Sequence, residues 1–155
     1  MRIFLDSSVF LHLLLDGPRA DEAEEILSAV EEGEEEAGVT VMVVEEVAYK
    51  LLVAKASELG VAGPLELRRR LLRDGELRER CLEPVEEFSR YLRGMGGLSW
   101  VRILPVDWEA ALDLVRRAGL LPADAVHASV SLRLGLKMAT FDSDFRRVPG
   151  LEVIP

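Results

Sequence analysis

The chain opens Arg2-Ile3-Phe4-Leu5-Asp6-Ser7-Ser8-Val9-Phe10, and this stretch decides the fold. Arg2 to Leu5 reads as a short buried strand, and it ends on a carboxylate, Asp6. Ser7 and Ser8 follow, with side-chain oxygens able to cap a helix by accepting from its first free N–H groups. Val9-Phe10-Leu11-His12-Leu13-Leu14-Leu15 carries that helix until Asp16-Gly17-Pro18 breaks it. A strand that turns directly into a helix is the repeating unit of an α/β protein.

The alternation continues outward from this start. Asp21 to Glu32 predicts a second helix, with Ala23, Ile26, Leu27 and Val30 at helical spacing and an acidic outer face. Gly38 to Val43 is apolar enough for a strand covered on both faces. From Val44 the spacing becomes helical through Val47, Ala48, Leu51 and Leu52. Two further helices are expected over Leu65–Leu82 and Val85–Leu92, followed by a flexible turn at Gly94, Gly96 and Gly97. Val101–Leu104 predicts a third strand, and Asp107 fits the N-cap of the next helix, which Gly119 closes. Pro122 sits at the first turn of another helix, ended by Gly135. Lys137–Thr140 and Leu151–Ile154 predict the fourth and fifth strands.

The expected architecture is therefore a three-layer α/β/α sandwich with a central, mostly parallel, five-stranded sheet, formed as a single domain over residues 1–155. The stretch from about 56 to 92 offers no strand and is expected to project as a helical arm.

Composition narrows the function. Hydrophobic residues make up 49% of the chain, enough for a sizeable core, and no apolar run reaches the roughly 18–20 residues a membrane span requires. The opening residues are too short and too soon acidic for a secretory signal, so a cytoplasmic location is expected. The lone cysteine, Cys81, excludes an internal disulfide, and no Cys/His set offers a zinc site. A formal net charge of −9 argues against a protein that coats nucleic acid by charge alone. It leaves room for a nuclease, because cations bound by carboxylates reverse the local charge.

The acids fall in a pattern. Ligands of open α/β sheets bind outside the carboxyl ends of the strands. Asp6 ends the first expected strand, Glu45 and Glu46 follow the second, and Asp142 and Asp144 follow the fourth. Asp124 lies in the first turn after Pro122. Each has a plainer alternative: a turn former for Asp6, Asp142 and Asp144, a first-turn acid opposing the helix dipole for Asp124, Glu45 and Glu46. Acids at several matching strand ends repel one another unless a cation sits between them, and oxygen ligands of this kind suit Mg²⁺.

These motifs resemble the PIN domain family, the fold of VapC-type toxin ribonucleases. The resemblance rests on Ile3-Phe4-Leu5-Asp6-Ser7-Ser8-Val9-Phe10, Glu46-Val47-Ala48-Tyr49-Lys50-Leu51, Leu121-Pro122-Ala123-Asp124-Ala125-Val126-His127-Ala128-Ser129 and Met138-Ala139-Thr140-Phe141-Asp142-Ser143-Asp144-Phe145. It covers essentially the whole chain, and no single motif is specific, but four stand in order. It implies a Mg²⁺ or Mn²⁺ site built from Asp6, Glu46, Asp124 and Asp142, with Thr140, Asp144 and Ser7 or Ser8 in support. Glu46 is preferred to Glu45 because the family pattern sets an apolar pair right after the acid. The implied chemistry is hydrolysis of RNA phosphodiesters by a metal-activated water, with two ions, if both bind, about 3.5–4 Å apart. The implied biology is a toxin neutralised by a small antitoxin protein, acting as a homodimer. The competing expectation is a PIN scaffold that binds RNA or a protein partner without turnover.

Other polar residues have simpler readings. His127 is expected in the core. Arg68, Arg69, Arg70, Arg73, Arg78 and Arg80 alternate with glutamates and read as a salt-bridged helix face, or as an arm gripping RNA. Arg146 and Arg147, beside the last acidic motif, are the candidates for contact with an RNA phosphate.

Overall fold

In the computed structural model, which describes residues 1–155, five strands form one sheet: β1 (Ile3–Leu5), β2 (Ala37–Val39), β3 (Leu98–Trp100), β4 (Lys137–Ala139) and β5 (Val153–Ile154). Their order is β3-β2-β1-β4-β5, and every neighbouring pair is parallel. β1 and β2 are buried along their whole length, as strands inside a covered parallel sheet must be.

The connections explain where a ligand would bind. From β1 the chain moves through α1 (Ser7–Leu14) and α2 (Ala20–Glu31) to β2, and later to β3 on the same side. It then returns through α6 (Pro105–Ala118) and α7 (Pro122–Leu134) to β4, on the other side of β1. Right-handed crossovers in opposite directions put the two helix pairs on opposite faces, which gives the α/β/α layers. They also make the β1–β4 boundary a switch point, where a crevice opens at the carboxyl ends of the strands.

The chain divides into two compact units, residues 1–44 with 95–155, and residues 45–94. The first holds the sheet. The second holds most of α3 (Val41–Glu58) together with α4 (Gly63–Arg73) and α5 (Gly75–Gly94). Its own core is Ala56, Val61, Leu67, Leu77 and Cys81, with Leu52, Val53, Leu59 and Leu71 packed against them. Cys81 is thus a small buried hydrophobe, and burial pushes its thiol pKa up. No helix is long and apolar enough to cross a membrane.

Several sequence expectations are corrected. β2 ends at Val39 rather than Val43, because Thr40 caps α3: its Oγ1 accepts from Val43 N at 3.4 Å. Val41 to Val43, expected in the strand, is therefore the start of the helix. β3 lies at Leu98–Trp100, upstream of the expected Val101–Leu104, although Val101 N still donates to Val39 O at 2.8 Å. Asp107 is not an N-cap. It is the third residue of α6 and accepts from Leu104 N at 2.7 Å. The arm's helix break falls at Asp74, whose Oδ1 accepts from Leu77 N at 2.9 Å, and Pro84 lies inside α5. Gly97 is no hinge: its N–H donates to Val30 O at 2.8 Å, and a Cβ there would collide with the carbonyl of Glu35.

The arginine-rich stretch is only partly salt-bridged. Arg70 reaches Glu66 at 3.8 Å and Asp74 at 3.5 Å. Arg78 Nη1 donates instead to Leu71 O, at 2.8 Å, and Arg68, Arg69 and Arg73 are exposed.

Candidate active site

The ladder hydrogen bonds run one residue beyond the strands and set Asp6 beside Thr140. Asp6 N donates to Ala139 O at 3.0 Å, and Thr140 N donates to Ile154 O at 2.9 Å. Both residues are buried, Asp6 at 4% exposure. The Thr140 hydroxyl donates to Asp6 Oδ2 at 2.8 Å, and the Ser8 hydroxyl donates to the same oxygen at 2.7 Å. Ser8 N adds a longer bond to Oδ2, at 3.3 Å, so Asp6 rather than either serine caps α1. The hydroxyl that reaches Asp6 is that of Ser8. Of the two serines the sequence left open, Ser7 is buried one position earlier and does not make this contact.

Hydrogen-bond accounting fixes the direction of each proton. A hydroxyl has one proton to give. Ser8 Oγ gives its proton to Asp6 and accepts from Phe141 N at 3.0 Å. Thr140 Oγ1 gives its proton to Asp6 and accepts from Asp142 N at 3.0 Å. The 3.2 Å approach between the two hydroxyl oxygens therefore has no proton of its own. The network locks the Asp6 carboxylate rotamer and ties it to the loop that carries Asp142.

That loop is a 3₁₀ turn, Ser143–Arg147, capped by Asp142, whose Oδ1 accepts from Asp144 N at 2.8 Å. Asp142 is exposed. Asp144 pairs with Arg147 Nη2 at 3.0 Å, which turns Arg147 back onto its own turn. Arg146 instead extends to Pro155, Nη2 donating to the carbonyl at 2.6 Å.

Asp124 is half-buried in the first turn of α7. α7 turns back through Gly135 into β4, so its first turns lie towards the carboxyl ends of the strands. His127, one turn further, is 1% exposed with its ring centroid 5.9 Å from that of Phe4 on β1. It is a core residue. Glu46 lies in the second unit, on α3, and its Oε1 pairs with Lys50 Nζ at 2.6 Å, while Glu45 is exposed.

In this arrangement no three Asp, Glu, His or Cys side chains stand close enough together to hold one ion. The donor chemistry nonetheless fits a hard divalent cation, which takes carboxylate oxygens and keeps several waters. Asp6 is the most firmly fixed of these carboxylates: three donors hold its Oδ2, and none of those bonds is to Oδ1.

Sequence reasoning missed one cluster at this edge. Arg19, just before α2, lies over the Phe141 ring with Cζ 4.6 Å from the centroid. The His12 ring meets Phe141 edge-on at 5.1 Å, and its Nδ1 accepts from Arg19 N at 3.3 Å. The guanidinium pairs with Glu22, whose carboxyl that hydrogen bond holds below the usual range. No periodicity or motif in the sequence links residues 12, 19 and 141.

Comparisons with known proteins show the family and the fold. A family model described as PIN domain matches residues 3–151. Ribonuclease VapC6 of Methanocaldococcus jannaschii is 26% identical over 156 aligned positions, spanning 98% of this chain and 95% of that protein. A toxin-antitoxin complex from Klebsiella pneumoniae includes a chain similar at TM-score 0.62 and 16% identity, covering 99% of this chain and 96% of that one. VapC20 of Mycobacterium tuberculosis, described as a sarcin-ricin loop cleaving toxin, matches at TM-score 0.61 and 17% identity, with 99% of each chain covered. At these identities the structural likeness shows a common fold.

Proposed function

We propose, because this chain belongs to the PIN domain family, that it is a metal-dependent endoribonuclease and the toxin of a toxin-antitoxin pair. The observation that carries this reading is the fixed Asp6 carboxylate at the switch point of the sheet, held by the Thr140 and Ser8 hydroxyls. The ribonuclease relative supports the substrate class.

In this reading Asp6, Asp124 and Asp142 are ligands for Mg²⁺ or Mn²⁺, and Glu46 is the fourth acid. A bound ion of this kind would lower the pKa of a water and neutralise charge building on the phosphate. Thr140 and Ser8 orient Asp6, so that its carboxylate is aimed without reorganisation. Thr140 also holds the backbone of Asp142. Asp144 restrains Arg147, and Arg146 is the better candidate for a phosphate contact. We take the partners to be an RNA substrate, a small antitoxin and a second copy of the chain in a two-fold dimer, and the compartment to be the cytoplasm.

A second reading, a scaffold that binds RNA or protein without turnover, is favoured by the ion pair between Glu46 and Lys50, which already neutralises one expected ligand. Incubating a panel of structured and single-stranded RNAs with the protein, with and without Mn²⁺ and with Asp6→Asn as control, separates the two. Endonucleolytic products that need both Mn²⁺ and Asp6 support the nuclease. RNA binding with no product under any condition supports the scaffold.

A further inference from the structure

Two guanidinium groups converge beside the Asp6 network from segments far apart in sequence. A cavity of about 160 Å³ is lined by Arg19, Thr140, Phe141, Asp142, Arg146 and Pro155, among others. Arg19 comes from the α1–α2 connection and Arg146 from the 3₁₀ turn after β4. Two arginines thus line one cavity in a chain of net charge −9; Asp142 is the carboxylate side chain of that lining, and Glu22, outside it, pairs with Arg19.

The Arg19 guanidinium is held rather than free. Glu22 takes its Nε and Nη2 protons, and the Phe141 face supports the plane at 4.6 Å. Phe141 is steadied in turn by the His12 edge and by its own N–H to Ser8. Nη1 is left outside these contacts. Arg146 spends Nη2 on Pro155 and keeps Nε and Nη1. Planar forks with donors to spare, fixed by neighbours, are suited to phosphate oxygens. Thr140 and Asp142 belong both to this cavity and to the candidate metal centre, so the two sites adjoin.

We propose that Arg19 and Arg146 form a subsite for an RNA phosphate next to the scissile one on the same strand, with Phe141 positioning Arg19. This rests on the ribonuclease reading for its substrate, and its test does not require turnover.

The test measures binding of a fluorescent single-stranded RNA oligomer, by anisotropy, across a range of salt concentrations with Mg²⁺ present. All proteins carry Asp6→Asn, to suppress cleavage, and the added changes are Arg19→Gln, Arg146→Gln, Arg19→Lys and, as a remote control on α6, Arg116→Gln. Loss of one charge-assisted phosphate contact should weaken binding about tenfold. It should also lower the slope of log affinity against log salt by about 0.7, the value for one phosphate of a single strand. Arg19→Gln and Arg146→Gln are expected to show both effects, Arg19→Lys to keep the slope, and Arg116→Gln to match its parent. Unchanged affinity in both glutamine variants overturns the proposal, and so does weakened binding at an unchanged slope, which marks a packing role. Failure of the parent to bind RNA also overturns it. If the variants behave as expected while the wild type cleaves no RNA, the subsite stands and the ribonuclease reading falls.

Discussion

The Thr140 hydroxyl donates to Asp6 Oδ2 at 2.8 Å and closes a contact between residues 134 apart in sequence. Both lie one step past paired strands, so the sheet register itself brings them together. The same threonine oxygen accepts from Asp142 N, which makes it the joint between two expected metal ligands.

Thr140→Val removes that joint while keeping the shape. Asp6 loses a donor and Asp142 N loses its acceptor in a buried place, a change expected to cost about 1–3 kcal/mol. RNA cleavage should fall further than stability explains, because Asp6 is no longer aimed. Thr140→Ser, which restores the hydroxyl, should recover most of both. Ser8→Ala should behave like Thr140→Val. Chemical denaturation beside cleavage rates measures the two effects, and full activity in Thr140→Val would show that this hydroxyl positions nothing.

Asp142 and Asp144 are expected to separate. Asp144 is occupied by Arg147 at 3.0 Å, whereas Asp142 borders the cavity and follows from Thr140. Asp142→Asn should abolish metal-dependent cleavage, and Asp144→Asn should retain most of it. Glu46→Gln is expected to be far more damaging than Glu45→Gln. Initial rates at saturating Mn²⁺ for the four variants check the assignment. A dead Asp144→Asn beside an active Asp142→Asn would reverse it.

How much of this was written in the sequence follows from what each feature depends on. β1 and β4 were legible because short apolar runs ended by an acid or Thr-x-Asp are local patterns. β2 and β3 were misjudged at their ends for opposite reasons. Val41 and Val43 are β-branched and suit a strand, yet the Thr40 cap starts a helix. Val101–Leu104 is the more strand-like run, yet the close approach of Gly97 to Val30 sets the pairing upstream, at Leu98. Ser7 and Ser8 could not be told apart, because only the rotation of α1 about its Asp6 cap decides which hydroxyl meets the carboxylate. Arg19 carried no signal at all: its place over Phe141 depends on how the α1–α2 connection folds back.

Asp107 gives a prediction in pH. The residue is 1% exposed, and Arg133 meets it with Nε at 2.6 Å and Nη2 at 2.9 Å. Burial alone would raise its pKa, but the hydrogen bonds from Arg133 and Leu104 N outweigh it, and the carboxyl is held below its usual range. A pKa lowered on folding contributes stability above the unfolded value, near 4, and loses it as pH falls through the folded value. Asp107→Asn should therefore cost about 2–3 kcal/mol at pH 7, less than a fully buried pair because Arg133 is partly exposed. The gap between wild type and variant should begin to narrow as pH falls below about 4 and close only below the lowered value of the folded state. A gap that stays constant with pH would remove the ion pair from the explanation.

Gly97 tests the packing at the start of β3. A methyl group there would press on the carbonyls of Glu35 and Val30, both backbone atoms that cannot rotate away. Gly97→Ala is expected to lose about 1–3 kcal/mol through overpacking. Gly33→Ala would be a poor control, since φ there is 77°, so Gly94→Ala, with open space around its Cβ, is the comparison. Equal melting temperatures for Gly97→Ala and wild type would contradict the close approach.

The central claim is that Asp6 and its fellow carboxylates hold a divalent cation. Its most direct measurement is the melting temperature of wild type and Asp6→Asn, each with and without Mn²⁺. An ion bound only by the folded state at about 100 times its dissociation constant adds about 2.7 kcal/mol. For a chain of this size that is a rise of about 5–10 °C. The account predicts that rise for the wild type and little or none for Asp6→Asn. Without metal, Asp6→Asn should melt at or slightly below the wild type, since the amide keeps the shape but weakens the charge-assisted hydrogen bonds from Ser8 and Thr140. Equal responses of the two proteins to Mn²⁺ would contradict the claim.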